Sequence, residues 1–138
     1  MHYVVWAVLA MVTYGITAVL LKYAFRQYPP EVAVVVANTM LIVAAVGAVI
    51  YRGQNIASYF GWSWPTVALL AAGVTLSISI ISFYTALHRG PASTVVPIFA
   101  LNFAVASMIG FALLGEEIKL TKIAGLLMAA GAVFLLTK

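Results

Sequence analysis

Five long apolar segments fill most of this sequence and constrain its fold more than any other feature. All seven lysine and arginine residues and all three acidic residues lie outside these segments. An α-helix needs about 20 apolar residues to cross the hydrocarbon core of a bilayer. The pattern therefore predicts an all-α, multi-pass membrane protein whose helices cover Tyr3–Leu21, Val32–Tyr51, Thr66–Leu87, Ser93–Leu114 and Ile123–Thr137.

The composition excludes a water-soluble domain. Only 7% of the residues are charged and 65% are hydrophobic, whereas soluble domains carry about 25% charged residues. A length of 138 residues suits one domain, so we expect a single five-helix domain over residues 1–138. The absence of cysteine excludes disulfides and thiolate metal sites. We expect the protein to lie in a prokaryotic cell (inner) membrane.

Prolines and aromatic residues mark the ends of the predicted helices. Pro30, Pro65 and Pro91 each stand where a helix can begin, because proline is well tolerated in the first helical turn. The longest connection, 53–63, is rich in aromatic residues. Such a cluster is either a ligand site or an anchor at the membrane–water interface, and the anchor is the commoner case. All other connections are short, which favours antiparallel neighbouring helices.

The basic residues are almost evenly distributed between the two membrane sides. With five spans, three share the side of the N-terminus and four share the other side. Because an excess of Lys and Arg normally marks the cytoplasmic side, the chain carries little instruction about orientation. Either both orientations occur or one loop dominates the count. The two groups are Arg52, Lys119 and Lys122, and Lys22, Arg26, Arg89 and Lys138.

Polar residues within the apolar segments are the candidate functional residues, because a polar group in lipid is costly unless it is hydrogen-bonded or faces water. Asn38 and Asn102 stand out, since an amide has several donors and acceptors to satisfy. Hydroxyl groups often bond instead to a carbonyl of their own helix. Pro97 removes a backbone donor and predicts a kink in the fourth helix. The predicted cavity residues are Thr13, Tyr14, Thr17, Asn38, Thr75, Ser79, Ser82, Pro97 and Asn102.

The last segment looks built for helix packing. It has few polar side chains, and Gly125, Ala129 and Gly131 would allow another helix to approach closely. The sequence has no metal-ligand spacing, no phosphate-binding loop and no paired nucleophile and base, so an enzyme is disfavoured. We expect neither a metal nor a cofactor, and no nucleic-acid partner.

Several sequence elements resemble the EamA-type domain of the drug/metabolite transporter superfamily. They are the run from Phe83 to Ile98, the later element from Leu113 to Ile118, and Thr13-Tyr14-Gly15 in the first segment. The resemblance covers essentially the whole chain. It implies a membrane carrier of small metabolites, amino acids or drugs, with a cavity lined by the first four helices of each domain.

Members of that superfamily usually contain two such domains, ten helices in all, related as inverted repeats. The present sequence matches one such domain, and its Lys and Arg residues are almost evenly distributed between the two sides. Together these favour an antiparallel homodimer with Gly125, Ala129 and Gly131 near the contact. A parallel dimer or a monomer is the alternative if one loop fixes the orientation. It also lacks the glutamate that the small multidrug-resistance branch carries in its first helix. The resemblance thus implies a small-solute transporter that works by alternating access. The alternatives are a non-transporting membrane subunit, half of a heterodimeric transporter, or a lipid flippase.

Overall fold

The computed structural model of the protein describes residues 3–113 and 119–137, which form α-helices and their connections. No strand occurs in this part of the chain, so the all-α prediction is confirmed. A short 3₁₀ helix, Ile56–Tyr59, interrupts the loop between the second and third helices. The helices are α1 (Tyr3–Ala24), α2 (Pro30–Tyr51), α3 (Trp64–Arg89), α4 (Ala92–Ala100), α5 (Asn102–Leu113) and α6 (Leu120–Leu136).

The ends of α2 follow from proline and glycine. Pro30 is its first residue, as predicted. At the other end Gly53 adopts a positive φ of 62°. This conformation lets the Gly53 N–H donate to Ile50 O (3.0 Å) and the Gln54 N–H donate to Val49 O (3.1 Å). These are the paired bonds of a Schellman motif, which satisfies carbonyls that the helix end would otherwise leave open.

The sequence predicts one helix, kinked at Pro97, for the fourth apolar segment. The structure instead divides this segment into two helices, α4 and α5. Its helix continues past Pro97 and is interrupted at Leu101, between α4 and α5. There the Leu101 N–H donates to Ile98 O (3.1 Å) and the Ala104 N–H donates to Leu101 O (2.9 Å). Both bonds join residues three apart, which is the tighter 3₁₀ pattern. The predicted end of this segment at Leu114 and the Gly-Glu element that follows lie outside the described residues.

Four stretches of the described chain are long and apolar enough to cross a membrane: Tyr3–Ala24, Pro30–Tyr51, Trp64–Arg89 and Ala92–Ala112. The last of these includes both α4 and α5. The remaining helix, α6, is apolar but has only 17 residues. At 1.5 Å per residue it is about 25 Å long, against a hydrocarbon core of about 30 Å. The fifth span therefore stays a prediction.

The chain divides into two compact units, one containing residues 1–18 and 89–138 and the other residues 19–88. We call them the terminal unit and the central unit. Within the terminal unit α4 packs against α6. The Tyr14 ring of α1 stacks on the Phe99 ring of α4 with centroids 5.9 Å apart. The Lys122 ammonium lies 5.5 Å from the centroid of the Phe111 ring.

The central unit is packed most tightly where the end of α1, the start of α2 and the end of α3 converge. Leu87 of α3 is fully buried there. The Phe25 ring meets the rings of Tyr84 and His88 edge-on, at centroid distances of 6.0 and 5.6 Å. We call this cluster the helix junction. Its buried apolar side chains are Leu21, Phe25, Ala33, Phe83, Tyr84 and Leu87.

A charge also joins two helices at the junction. The Lys22 Nζ, in the last turn of α1, donates to Leu87 O at 2.8 Å and to His88 O at 3.4 Å. The last carbonyls of a helix lack partners within the helix and carry a partial negative charge, so a cation there is stabilising. Lys22 thus ties α1 to the carbonyl end of α3.

We predict that the N- and C-termini lie on opposite sides of the membrane, because five spans place them so. Reporter fusions at each end, one active only in the cytoplasm and one only outside it, would measure this. If α6 does not span, the count falls to four, and both termini of every molecule would be found on one side.

We predict that Leu87→Ala lowers the free energy of unfolding by about 2 kcal/mol, the low end for a buried leucine. The low end applies because lipid is as apolar as the side chain, so the cost comes from the cavity left behind. Unfolding in mixed micelles would measure the change. Leu70→Ala on the same helix, where the side chain is 59% exposed, should cost much less. Equal losses for both variants would contradict the proposed importance of the junction.

Candidate functional site

A groove of about 590 Å³ lies between α2 and α3 in the central unit. Its volume falls in the range of small-molecule sites, which are about 300–1,000 Å³. The groove contains no charged side chain, and three polar residues, Asn38, Thr39 and Ser77, interrupt an otherwise apolar surface. Its lining consists of Val34, Val35, Asn38, Thr39, Leu41, Ile42, Gly73, Leu76, Ser77, Ile80 and Ile81.

Asn38 is the most informative polar residue of this groove. It is half-buried, and its Nδ2 donates to Val34 O at 2.8 Å. The contacting atom must be the nitrogen, because two carbonyl oxygens cannot share a hydrogen bond. Oδ1 and the second N–H of the amide have no partner among the described residues. The side chain therefore offers one acceptor atom and one donor to a molecule in the groove.

The α3 wall of the groove includes two small residues, Gly73 and Ser77. Gly73 faces open space, since a Cβ added there would meet nothing within 4 Å. The Ser77 hydroxyl donates to Gly73 O at 2.8 Å and is thereby satisfied within its own helix. Because the Ser77 hydroxyl is already bonded, Asn38 and the neighbouring Thr39 are the main groups in this groove that can form hydrogen bonds to a ligand.

A second, smaller cavity of about 250 Å³ adjoins the groove at the start of α2. The two cavities share Val34, Val35 and Ile81, so they lie next to each other along the two helices. We call the combined feature the α2–α3 channel. The smaller cavity adds the carboxylate of Glu31, which belongs to the first turn of α2.

Three predicted cavity residues of α3 are not among the lining residues of this channel. They are Thr75, Ser79 and Ser82. The Thr75 hydroxyl donates to Ala71 O at 3.1 Å and Ala72 O at 3.0 Å. Ser79 is half-buried and Ser82 is exposed, and neither hydroxyl has a partner in the described part of the chain. Their assignment to a solute cavity stays a prediction.

The hydroxyls of α1, in the terminal unit, are satisfied within their own helix. Thr13 donates to Leu9 O at 2.8 Å, and Thr17 donates to Thr13 O at 2.9 Å. These bonds make their hydroxyls poor candidates for holding a solute without rearrangement.

Tyr14, Pro97 and Asn102 complete the predicted set. Tyr14 stacks on Phe99. Phe99 could not be selected from the sequence, because one phenylalanine among many apolar residues carries no functional signal. Pro97 is half-buried two residues before Phe99, and Asn102 is exposed at the start of α5. The amide of Asn102 makes no hydrogen bond to the residues that the structure describes.

The two glycines of α6 have open space beside them in the part of the chain that the structure describes. A Cβ added to Gly125 or Gly131 would meet nothing within 4 Å, and Ala129 is half-buried. These glycines are therefore not explained by close packing within the chain. Their predicted role at a dimer contact is untested.

Comparison with known proteins places the chain among transporters. It belongs to the EamA-like transporter family, whose model matches residues 1–138. A relative from Sinorhizobium sp., described as an uncharacterized transporter in the cobO 3' region, is 28% identical over 133 residues. The alignment covers 94% of this chain and 93% of the relative. No solved structure matches. Family and apolar helices together identify an integral membrane protein of a transporter family.

We predict that cysteine introduced at position 38 or 102 reacts with a membrane-impermeant thiol reagent, because both amides are predicted to face a water-accessible cavity. The chain has no cysteine of its own, so the labelled fraction can be read directly by mass spectrometry. Ser63→Cys, in a loop, should be labelled fully. Val43→Cys, on the exposed apolar surface of α2, should stay unlabelled. Protection of both asparagine positions under all conditions would favour a packing role.

Proposed function

We propose that the protein carries a small solute, such as a metabolite, an amino acid or a drug, across the membrane by alternating access. Membership in the EamA-like transporter family supports transport as the activity. The single observation that carries the proposed site is the half-buried Asn38 amide, which keeps an acceptor and a donor open to the groove between α2 and α3. In an apolar groove a few such groups fix the orientation of a ligand.

The working unit that we propose is a homodimer. Members of the superfamily that this sequence resembles combine two five-helix domains, whereas the family match here is to a single domain. The alignment covers 93% of the Sinorhizobium relative, so that protein is about the size of one such domain. Two copies of the chain would supply the two halves that alternating access requires.

We further propose that the two copies are inserted in opposite orientations. The near-even distribution of Lys and Arg makes insertion cost little in either direction. Opposite insertion would generate a two-fold axis in the membrane plane and so rebuild an inverted repeat from one sequence. The open space beside Gly125 and Gly131 of α6 is available for contact with the second copy.

The antiparallel dimer is tested by fixing the orientation of each copy. Two lysines added to the 53–63 loop, and two added at the C-terminus in a second variant, should bias insertion in opposite directions. Because each variant supplies only one orientation, each alone should lose at least about tenfold in solute uptake by cells, and co-expression should restore it. Reporter fusions would verify the orientation of each variant.

The matched control adds two glutamines at the same positions, which lengthens the chain without adding charge. It should retain uptake. Full uptake from a lysine variant that inserts in one orientation only would contradict the antiparallel arrangement, although transport itself would stand.

A further inference from the structure

The α2–α3 channel has a different chemical character at each of its ends. Glu31 lies at one end and Asn38 at the other, seven residues apart on the same helix. Seven residues are almost two full turns, so the two side chains share one face of α2 and lie about 10 Å apart along its axis. Between them the channel is lined by the apolar residues Val34, Val35 and Ile81.

Glu31 is the only acidic side chain in the part of the chain that the structure describes, and it is exposed. It forms no ion pair with another described residue. Two basic groups near the end of α1 have other contacts: Lys22 bonds the carbonyl end of α3, and the Arg26 guanidinium lies 5.0 Å from the centroid of the Tyr23 ring. The mouth of the channel therefore holds a carboxylate that has no ion-pair partner among the described residues.

The remaining hydroxyl in the smaller cavity does not compete for this carboxylate. The Thr85 hydroxyl donates to Ile81 O at 2.7 Å, within its own helix. The unused polar atoms of the channel are thus the Glu31 carboxylate, the Asn38 amide and the Thr39 hydroxyl. A complementary ligand has a cationic end, an apolar body and a hydroxyl or amide at the far end.

We propose that the α2–α3 channel binds an amphipathic amine, with its ammonium at Glu31 and its polar far end at Asn38. The apolar body of the ligand lies along Val34 and Ile81. An anion is repelled by Glu31, and a strongly hydrated zwitterion loses its water without a partner for its carboxylate. This inference rests on the proposed function, because it names the class of solute that the transporter carries.

The test uses three probes with the same apolar body, measured by calorimetry on the full chain in phosphatidylcholine nanodiscs. They are 4-(4-aminobutyl)phenol, 4-phenylbutylamine, which lacks the hydroxyl, and 4-butylphenol, which lacks the amine. Glu31→Gln should weaken binding of both amines by about tenfold, as expected for a charge-assisted hydrogen bond, and leave 4-butylphenol unchanged. Asn38→Leu should weaken only the two phenols, by about fivefold.

Control variants separate recognition from folding. Glu31→Asp keeps the charge and should retain amine binding within about threefold. If Glu31 only stabilised the end of the helix, its substitution would change the affinities of all three probes and not of the amines alone. Gln54→Leu removes an amide that does not line the channel and should leave all three affinities unchanged. Equal affinity of the amines for the wild type and Glu31→Gln, or an equal loss for all three probes, would overturn the proposal.

A lipid headgroup carries the same ammonium chemistry, so a further arm replaces part of the phosphatidylcholine with phosphatidylethanolamine. The amine affinities should not change. Displacement of the probes by phosphatidylethanolamine would overturn the assignment to a soluble amine and identify a lipid as the occupant.

Transport is measured separately, so that the two proposals can fail independently. Glu31-dependent binding without uptake of 4-(4-aminobutyl)phenol into proteoliposomes would leave the site standing and contradict its role in transport. Uptake of another solute that saturating amine does not inhibit would support a transporter and overturn the amine as its substrate.

Discussion

The helix junction is the contact on which the arrangement of the central unit depends. Lipid is as apolar as a leucine side chain, so moving such a side chain from lipid into the protein gains little free energy. Close packing and polar bonds between the helices must therefore hold the helices together. Here both act at one place: Leu87 is fully buried beside Phe25 and Tyr84, and Lys22 bonds the carbonyl end of α3. A single packed end fixes α1, α2 and α3 there and leaves α2 and α3 free to diverge around the groove.

Polar groups in lipid need hydrogen-bond partners, and this requirement divides the candidate residues into those already bonded within their own helix and those with open donors or acceptors. Several hydroxyls bond a carbonyl three or four residues earlier, and these positions need no ligand. An amide cannot satisfy all its donors and acceptors in this way, as Asn38 demonstrates with one bond made and the rest of the group open. A hydroxyl that bonds a carbonyl of its own helix needs no ligand, whereas an amide with open donors and acceptors remains available for binding.

The helical character of this chain could be predicted from sequence because hydropathy and proline positions are local properties. The first residue of α2 was predicted for that reason. The interruption at Leu101 could not be, since it lies one turn beyond Pro97 and depends on which backbone bonds form. The placement of Glu31 and Asn38 along one channel could not be predicted either, since the sequence pattern puts Glu31 at a helix end and Asn38 in a helix interior. Tyr14 was selected, but its partner Phe99 could be found only from the packing of α1 on α4.

The interruption between α4 and α5 has a consequence for how this segment can be turned in the bilayer. Pro97 has no N–H to offer the Ser93 carbonyl, and the Leu101 N–H that would reach the Pro97 carbonyl goes to Ile98 instead. Two carbonyls four residues apart, and hence on one side of the helix, lose their regular donors. Acyl chains cannot replace those donors. Facing water or protein is therefore favoured over facing lipid on that side, which constrains the rotation of the fourth segment about its own axis.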